Sequence, residues 1–232
     1  MEQALSQVRT RISAAAERSG RDASSVSLVA VSKTHPPEVI RNAVRLGVRV
    51  FGENRVQEAQ RKIAELNMDE LDIEFRLIGH LQSNKAKLVP PLFRWVESID
   101  SLKIARAVAQ RFSEVGRTCE VRLQLNSSGE ESKSGFARAK ELIDAAKEIG
   151  ELGSLHLRGV MTIGPFVEDA DQIRSAFART RECFLDLQQQ SGSPGIDTLS
   201  MGMTDDFEIA IEEGSTEVRI GSALFGGRGT YA

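Results

Sequence analysis

The sequence is poor in cysteine, in aromatic residues and in long apolar runs, and its net charge is small. Its 232 residues include two cysteines, one tryptophan and one tyrosine, and the formal net charge is −3. Two cysteines make no disulfide framework, which favours a reducing compartment. Interspersed charges of both signs give no basic surface for nucleic acid or for an anionic membrane. No apolar run reaches membrane-spanning length, and the first residues lack a signal-peptide pattern. We therefore expect a cytoplasmic protein that has neither nucleic acid nor a membrane as its partner.

What the sequence does contain is a regular alternation of strand-like and helix-like segments. Short apolar segments predict eight strands, and stretches with an apolar stripe predict the helices between them. Parallel strands need helical crossovers of this length. The first strand is not followed by Gly-x-Gly-x-x-Gly, which disfavours an open dinucleotide-binding sheet. We predict an α/β fold, a single (β/α)8 TIM barrel domain over residues 1–232 with an extra N-terminal helix. The predicted strands cover residues 26–32, 48–52, 73–78, 95–99, 120–125, 155–163, 198–201 and 217–220.

Lys33 stands at the end of the first predicted strand, directly before a turn that contains two prolines. Partial desolvation disfavours the charged form of a lysine and favours the free amine, which can attack a carbonyl. A Schiff base to an aldehyde cofactor or to a keto substrate is the chemistry that suits such a lysine. The alternative is a lysine that only marks the strand end and extends its ammonium into solvent.

The ends of the seventh and eighth predicted strands have the composition of a phosphate site. In a TIM barrel the C-terminal strand ends form the functional face, and the last two often bind phosphate. Ser200 offers a hydroxyl, while Gly202 and Gly221 let backbone N–H groups come close to an anion. We expect Ser200 and Gly221 to lie on turns at the mouth of the barrel. The alternative for each residue is an ordinary tight turn or helix cap.

Three further polar residues occur at or near strand ends: Asn54 after the second strand, His80 after the third and Arg219 on the eighth. His80 is either a catalytic base or a partly buried histidine with its hydrogen bonds satisfied. Arg219 is either a surface residue or a fixed cation in the mouth. A lysine that forms an imine, opposite a phosphate cradle, fits a site for pyridoxal 5′-phosphate (PLP), and it also fits a class I aldolase for a phosphorylated sugar. No spacing of histidine, cysteine or carboxylate residues suggests a metal site.

Six segments, in order along the chain, resemble the pyridoxal phosphate homeostasis protein family. The resemblance covers nearly the whole sequence. It implies a single barrel similar to the N-terminal domain of alanine racemase. It also implies that PLP is held as an internal aldimine on the lysine of the first segment, which is Lys33 here. The segments are AVSKT (30–34), FGENRVQE (51–58), IGHLQSNK (78–85), SKSG (132–135), LSMGMTDD (199–206) and VRIGS (218–222).

The resemblance also implies the remaining contacts to the cofactor. An arginine at the pyridine nitrogen disfavours protonation of that nitrogen, and an unprotonated ring is a weaker electron sink. The chain departs from the family pattern at His80, where proline is frequent, and at Thr204, where serine is frequent. The implied contacts are Asn54 and His80 at the ring, Ser200, Gly221 and Ser222 at the phosphate, and Arg219 at the pyridine nitrogen.

The resemblance implies a protein that carries or buffers PLP and influences the balance of amino acids and keto acids, rather than an enzyme. Racemisation through PLP needs acid–base groups on both faces of the cofactor, and the only tyrosine, Tyr231, is next to the last residue. The alternative is a PLP-dependent racemase or lyase. We expect a monomer whose partners are the cofactor and, transiently, apo forms of PLP-dependent enzymes. Lys133 and Lys85 are candidates to accept PLP from Lys33 at the mouth.

Overall fold

Eight parallel strands form a closed barrel in the computed structural model of this protein. The structure describes residues 1–66, 71–130, 133–191 and 195–227. Each strand pairs with the next along the chain and the eighth pairs with the first, so the sheet has no free edge. This closure confirms the predicted TIM barrel. The strands are β1 (Ser27–Val31), β2 (Val50–Glu53), β3 (Glu74–Leu77), β4 (Trp95–Ile99), β5 (Cys119–Leu125), β6 (Leu155–Thr162), β7 (Thr198–Ser200) and β8 (Glu217–Ile220).

Helices surround the barrel, and one precedes the first strand, as the sequence predicts. Between β3 and β4 the chain passes through a 3-10 segment, Ser83–Leu88. In the described part of the chain the helices are α1 (Glu2–Arg18), α2 (Pro37–Arg45), α3 (Val56–Glu65), α4 (Leu102–Glu114), α5 (Ala139–Gly150), α6 (Ala170–Ser191), α7 (Phe207–Glu212) and α8 (Ser222–Phe225).

The strand boundaries follow the predictions closely, and β2 shows why small shifts occur. The predicted strand begins at Val48, but the N–H of Val48 bonds to the carbonyl of Ala43 at 3.0 Å and so completes the end of α2. Gly47, with φ +85°, makes the turn that this bond requires. The strand therefore begins only at Val50.

The core lies between the sheet and the inward faces of the helices. Phe112 on α4, Leu142 on α5 and Phe177 on α6 are fully buried, as their predicted apolar stripes require. Among the helices of the described residues, none is both long and apolar enough to span a bilayer. In the same residues, no group of three or more histidine, cysteine, aspartate or glutamate side chains is placed to bind a metal ion.

Two leucines on α6 provide a matched test of this core. Leu187 is 1% exposed and Leu185 is 49% exposed. Leu187→Ala removes buried methyl groups and leaves a cavity, so we expect the free energy of unfolding to fall by about 2–5 kcal/mol. Leu185→Ala should change it by less than about 0.5 kcal/mol, because the side chain already contacts water. Urea denaturation of both variants measures the difference, and equal losses would contradict this orientation of α6.

Candidate functional site

A cavity of about 230 Å³ opens at the C-terminal ends of the strands. Four of the predicted site residues line it: Lys33 after β1, Asn54 after β2, His80 after β3 and Arg219 on β8. Lys133, from the segment that follows β5, also lines it. The closed barrel thus brings residues from distant parts of the chain to one mouth, as expected for this fold.

Asn54 and His80 lie side by side because the ends of β2 and β3 come very close together. A Cβ atom on Gly79 would lie 2.3 Å from the backbone oxygen of Asn54, so only glycine fits there. The Nδ1 atom of His80 lies 2.8 Å from Oδ2 of Asp100 and 3.3 Å from Oγ of Ser134. Its side chain is 54% exposed, so His80 is a rim residue of the cavity and not the partly buried histidine of the alternative.

Arg219 is buried and faces the cavity, which settles the two alternatives for this residue. Its Nη1 atom donates to the carbonyl of Ser200 at 2.8 Å and to Oγ of Ser200 at 2.9 Å. Its Nη2 atom donates to the carbonyl of Thr162 at 2.6 Å. Burial lowers the pKa of Arg219, and Glu97 and other carboxylates oppose this. Because arginine stays protonated in proteins, Arg219 is a fixed cation with a fixed orientation.

The expected position of Ser200 on a turn at the mouth is wrong. Ser200 is the last residue of β7, is fully buried, and does not line the cavity. Its hydroxyl donates to Oε2 of Glu97 at 3.2 Å and accepts from Arg219. Both bonds lie inside the barrel, so the Ser200 hydroxyl is engaged below the mouth and supports Arg219.

Thr204 follows β7 by four residues, meets the turn at Ser222, and was not among the predicted site residues. Thr204, Gly221 and Ser222 are not among the residues that line the cavity, although Met203 is. Its Oγ1 atom accepts from the hydroxyl of Ser222 at 3.2 Å and from the N–H of Ala223 at 3.4 Å. Gly221 precedes α8 and is partly exposed at the same turn, as predicted, and Ser222 is exposed. Two hydroxyls and the N–H of Ala223 therefore meet at this turn. The signal in the sequence was a second hydroxyl residue four positions after Ser200, in the loop that follows the strand.

A cluster of buried charges fills the barrel below Arg219. Nη1 of Arg122 lies 2.5 Å from Oε1 of Glu97 and 3.0 Å from Oε1 of Glu217. Arg76 also pairs with Glu217, and its guanidinium stacks 4.3 Å from the centre of the Trp95 ring. Burial raises the pKa of Glu97, although Arg122 opposes this. Sequence reasoning missed these residues because single charged residues within apolar strands do not reveal that they meet inside a barrel.

Lys133 is held at the rim by its own loop. Its Nζ atom lies 2.6 Å from Oε1 of Glu130 and 3.3 Å from the carbonyl of Gly164. It also lies 4.6 Å from the centre of the Phe166 ring. The side-chain amide of Asn126 anchors the loop by donating to the carbonyl of Lys133 at 3.2 Å. The predicted position of Lys133 on the mouth side is therefore confirmed.

The remaining residues that the sequence analysis singled out either do not line the cavity or lie outside the described residues. Lys85 lies in the 3-10 segment and is not among the residues that line the cavity. Ser132, in one of the six resembling segments, and Tyr231, the only tyrosine, lie outside the described residues.

Comparison with known proteins identifies the family. The family model of the alanine racemase N-terminal domain matches residues 4–229. A pyridoxal phosphate homeostasis protein from Pseudomonas aeruginosa is 47% identical, over 97% of this chain and 94% of the relative. The chain belongs to the pyridoxal phosphate homeostasis protein family. The resemblance predicted from the six segments is therefore confirmed.

Two solved structures of a related protein, PipY, have the same fold as this chain, and one of them contains PLP. PipY from Synechococcus elongatus, solved without PLP, is 36% identical with a TM-score of 0.87, over 97% of this chain and all (100%) of PipY. PipY with PLP bound is 39% identical with a TM-score of 0.79, over 87% of this chain and 93% of that structure. PipY, which is 39% identical to this chain, has thus been solved with PLP bound in the same barrel fold.

Proposed function

We propose that this protein binds PLP through a Schiff base on Lys33 and holds it for transfer to apo forms of PLP-dependent enzymes, without turning over a substrate of its own. One observation carries the proposal: a single cavity is lined by the amine of Lys33 and the guanidinium of Arg219. PLP has an aldehyde that reacts with an amine and a ring nitrogen that a guanidinium can face. The names of the relatives and the PLP-bound PipY structure support this ligand.

The turn at Thr204 and Ser222 fits the phosphate of PLP. It combines the hydroxyls of these two residues with the N–H of Ala223 in the first turn of α8. Hydroxyls and N–H groups at the start of a helix are suitable donors to an anion. Gly221 has no side chain to block the approach. We therefore assign the phosphate to Thr204, Gly221 and Ser222, and we assign Ser200 to the support of Arg219.

Arg219 also supports the proposed absence of turnover. PLP, when bound, supplies an electrophilic carbon and an electron sink for carbanion chemistry. The strength of that sink depends on a protonated ring nitrogen, and a permanent cation opposite the nitrogen disfavours protonation. Arg219 is fixed by three hydrogen bonds, so it cannot turn away from the ring without breaking them. Asn54 and His80 complete the proposed site at the edges of the ring.

The first prediction tests the site of attachment. Wild-type protein mixed with PLP should show the visible absorbance of a Schiff base, and borohydride reduction should fix the label on Lys33. Lys33→Ala should lose that absorbance, because the attacking amine is gone, whereas Lys87→Ala, at an exposed position, should keep it.

Mass spectrometry of the reduced protein identifies the labelled lysine. A label found only on another lysine of the wild-type chain would exclude the assignment. Incubation of the loaded protein with a panel of amino acids should give no racemised or deaminated product above a protein-free control. Product formation that depends on Lys33 would favour the racemase or lyase alternative.

The second prediction separates Thr204 from Ser200. Thr204→Val removes a hydroxyl that we assign to the phosphate, and a hydrogen bond to a charged group contributes about 1.5–3 kcal/mol. The dissociation constant of PLP should therefore rise roughly tenfold or more, with little change in stability. Ser200→Ala leaves Glu97 and Arg219 each short of a buried partner and should lower the free energy of unfolding by about 1–3 kcal/mol.

Absorbance titration and urea denaturation of both variants measure these effects. If Ser200→Ala weakened PLP binding while its stability stayed that of the wild type, the assignment of Ser200 to a supporting role would be wrong.

The third prediction concerns transfer. If Lys33 holds PLP as an imine, Lys133 at the same cavity would accept PLP by exchange of one imine for another, with the amine of Lys33 as the leaving group and no release of free aldehyde. Lys133→Ala should therefore slow the transfer of PLP to an apo-enzyme and leave the absorbance of the Lys33 adduct unchanged. Recovery of the acceptor's activity over time measures the rate, and Lys140→Ala, on the exposed face of α5, is the matched control. Transfer at the wild-type rate in Lys133→Ala would show that this lysine has no part in it.

A further inference from the structure

Two buried ionisable side chains and a half-buried one form a cluster directly behind Lys33. Lys62 on α3 is 6% exposed, although lysine is rarely buried in proteins. Its Nζ atom lies 2.7 Å from Oε1 of Glu53 and 2.8 Å from Oε1 of Glu58. Glu53 ends β2 and is fully buried, and Glu58 is in the first turn of α3. We call Lys62, Glu53 and Glu58 the Lys62 cluster, and none of its members lines the cavity.

The Lys62 cluster bonds to both peptide groups that flank the Cα atom of Lys33. On one side, Nζ of Lys62 donates to the carbonyl of Ser32 at 2.7 Å. On the other side, the N–H of Thr34 donates to Oε1 of Glu58 at 2.5 Å. The hydroxyl of Ser32 also donates to Oε1 of Glu53 at 2.7 Å. The backbone on each side of Lys33 is thus attached to the same group of charges.

The turn after Lys33 needs such an attachment because its backbone is strained. Thr34 has φ +67°, in the left-handed region, where a β-branched residue is an outlier. Strain of this kind persists only where surrounding contacts impose it, and it concentrates at functional sites. Two contacts hold this conformation: the N–H of His35 donates to the carbonyl of Ser32 at 3.1 Å across the turn, and the N–H of Thr34 donates to Glu58.

The charge state of Glu58 suits this role. Burial raises the pKa of Glu58, but the bonds from Lys62 and from the N–H of Thr34 outweigh burial, so its pKa lies below the usual value. Glu58 is therefore a carboxylate at neutral pH, and a charged acceptor makes a stronger hydrogen bond than a neutral one. Burial raises the pKa of Glu53, and Lys62 opposes this.

We infer that Glu53, Glu58 and Lys62 are positioning residues that fix the strained backbone around Lys33 and so aim its amine into the cavity. This inference rests on the proposed function, because it concerns the lysine that would hold PLP. A buried ion cluster is by itself a poor source of stability, since desolvation offsets the attraction of the charges. Its two bonds to the backbone of Lys33 give it a role in preorganisation instead.

The test uses Glu58→Ala, with Glu65→Ala at the exposed end of the same helix as the control. In the cofactor-free protein, hydrogen exchange at the Thr34 amide should become roughly tenfold faster or more in Glu58→Ala and should not change in Glu65→Ala. The dissociation constant of PLP should rise about tenfold, which corresponds to about 1.4 kcal/mol. Absorbance titration measures the affinity, and mass spectrometry or NMR measures the exchange.

Thr34→Gly distinguishes positioning from a general loss of stability. Glycine adopts positive φ without strain, so the turn no longer needs Glu58 to impose it. In a Thr34→Gly background, Glu58→Ala should therefore weaken PLP binding by clearly less than it does in the wild-type background. A purely structural role for Glu58 would give the same loss of affinity in both backgrounds, and that result would overturn the inference.

The outcomes also separate this inference from the proposed function. If wild-type protein forms the Lys33 adduct and Glu58→Ala matches it in affinity and amide exchange, the positioning role is wrong and the proposed function stands. If wild-type protein forms no adduct, the proposed function is wrong, and the exchange rate at Thr34 alone decides whether the Lys62 cluster fixes this turn. Should Glu58→Ala fail to fold, Glu58→Gln takes its place, because its neutral oxygen weakens the bond to Thr34 without leaving a cavity.

Discussion

Closure of the sheet by the pairing of β1 with β8 is the constraint on which the site depends. Ala30 lies opposite Ile220 in this pairing, so the residues that follow the two strands meet at the mouth. A Cβ atom on Gly221 would lie 3.4 Å from the side chain of Val31, which shows how close the two chain segments come. Lys33 and the turn at Ser222 are almost a whole chain apart in sequence, and only barrel closure makes them neighbours.

The same closure encloses charges that would be costly in an open sheet. Glu97, Glu217 and Arg122 lie inside the barrel, where each loses its hydration. Such charges persist only where partners of opposite sign surround them. Through Ser200 the carboxylate of Glu97 connects to Arg219, so the interior cluster supports a guanidinium that lines the cavity. Arginine suits this position better than lysine, because its planar fork donates in several fixed directions at once.

The fold could be predicted because the strands and helices alternate with clear apolar periods, and β4 and β8 match their predicted residues completely. The position of Lys33 at the cavity could be predicted because a charged residue that directly follows an apolar strand is conspicuous. The position of Ser200 was predicted wrongly because the face on which the last residue of a strand lies depends on the strand register. A shift of one residue moves the side chain to the other face of the sheet. The hydroxyl of Thr204 meets Ser222 and Ala223 through contacts that a sequence pattern cannot show.

The apolar periodicity of α3 alone could have indicated that Lys62 is buried. The buried residues of α3 are Val56, Ala59 and Lys62, so a lysine occupies the third position of an apolar stripe. A charge at such a position needs a buried partner, and the sequence does not say which of the nearby glutamates provides it.

The two lysines at the cavity differ in what holds them, and the difference fits the proposed function. The backbone around Lys33 is bonded to buried Lys62 on one side and to half-buried Glu58 on the other, whereas Lys133 is bonded through its side chain to exposed Glu130 and to the carbonyl of Gly164. Because Glu130 is exposed, water competes for its carboxylate, and its ion pair with Lys133 contributes little free energy. The amine of Lys133 can therefore leave Glu130 at small cost, while the backbone of Lys33 stays in place. Under the proposed function, retention and release of PLP would need one fixed amine and one amine that is more easily freed, and Lys33 and Lys133 differ in this way.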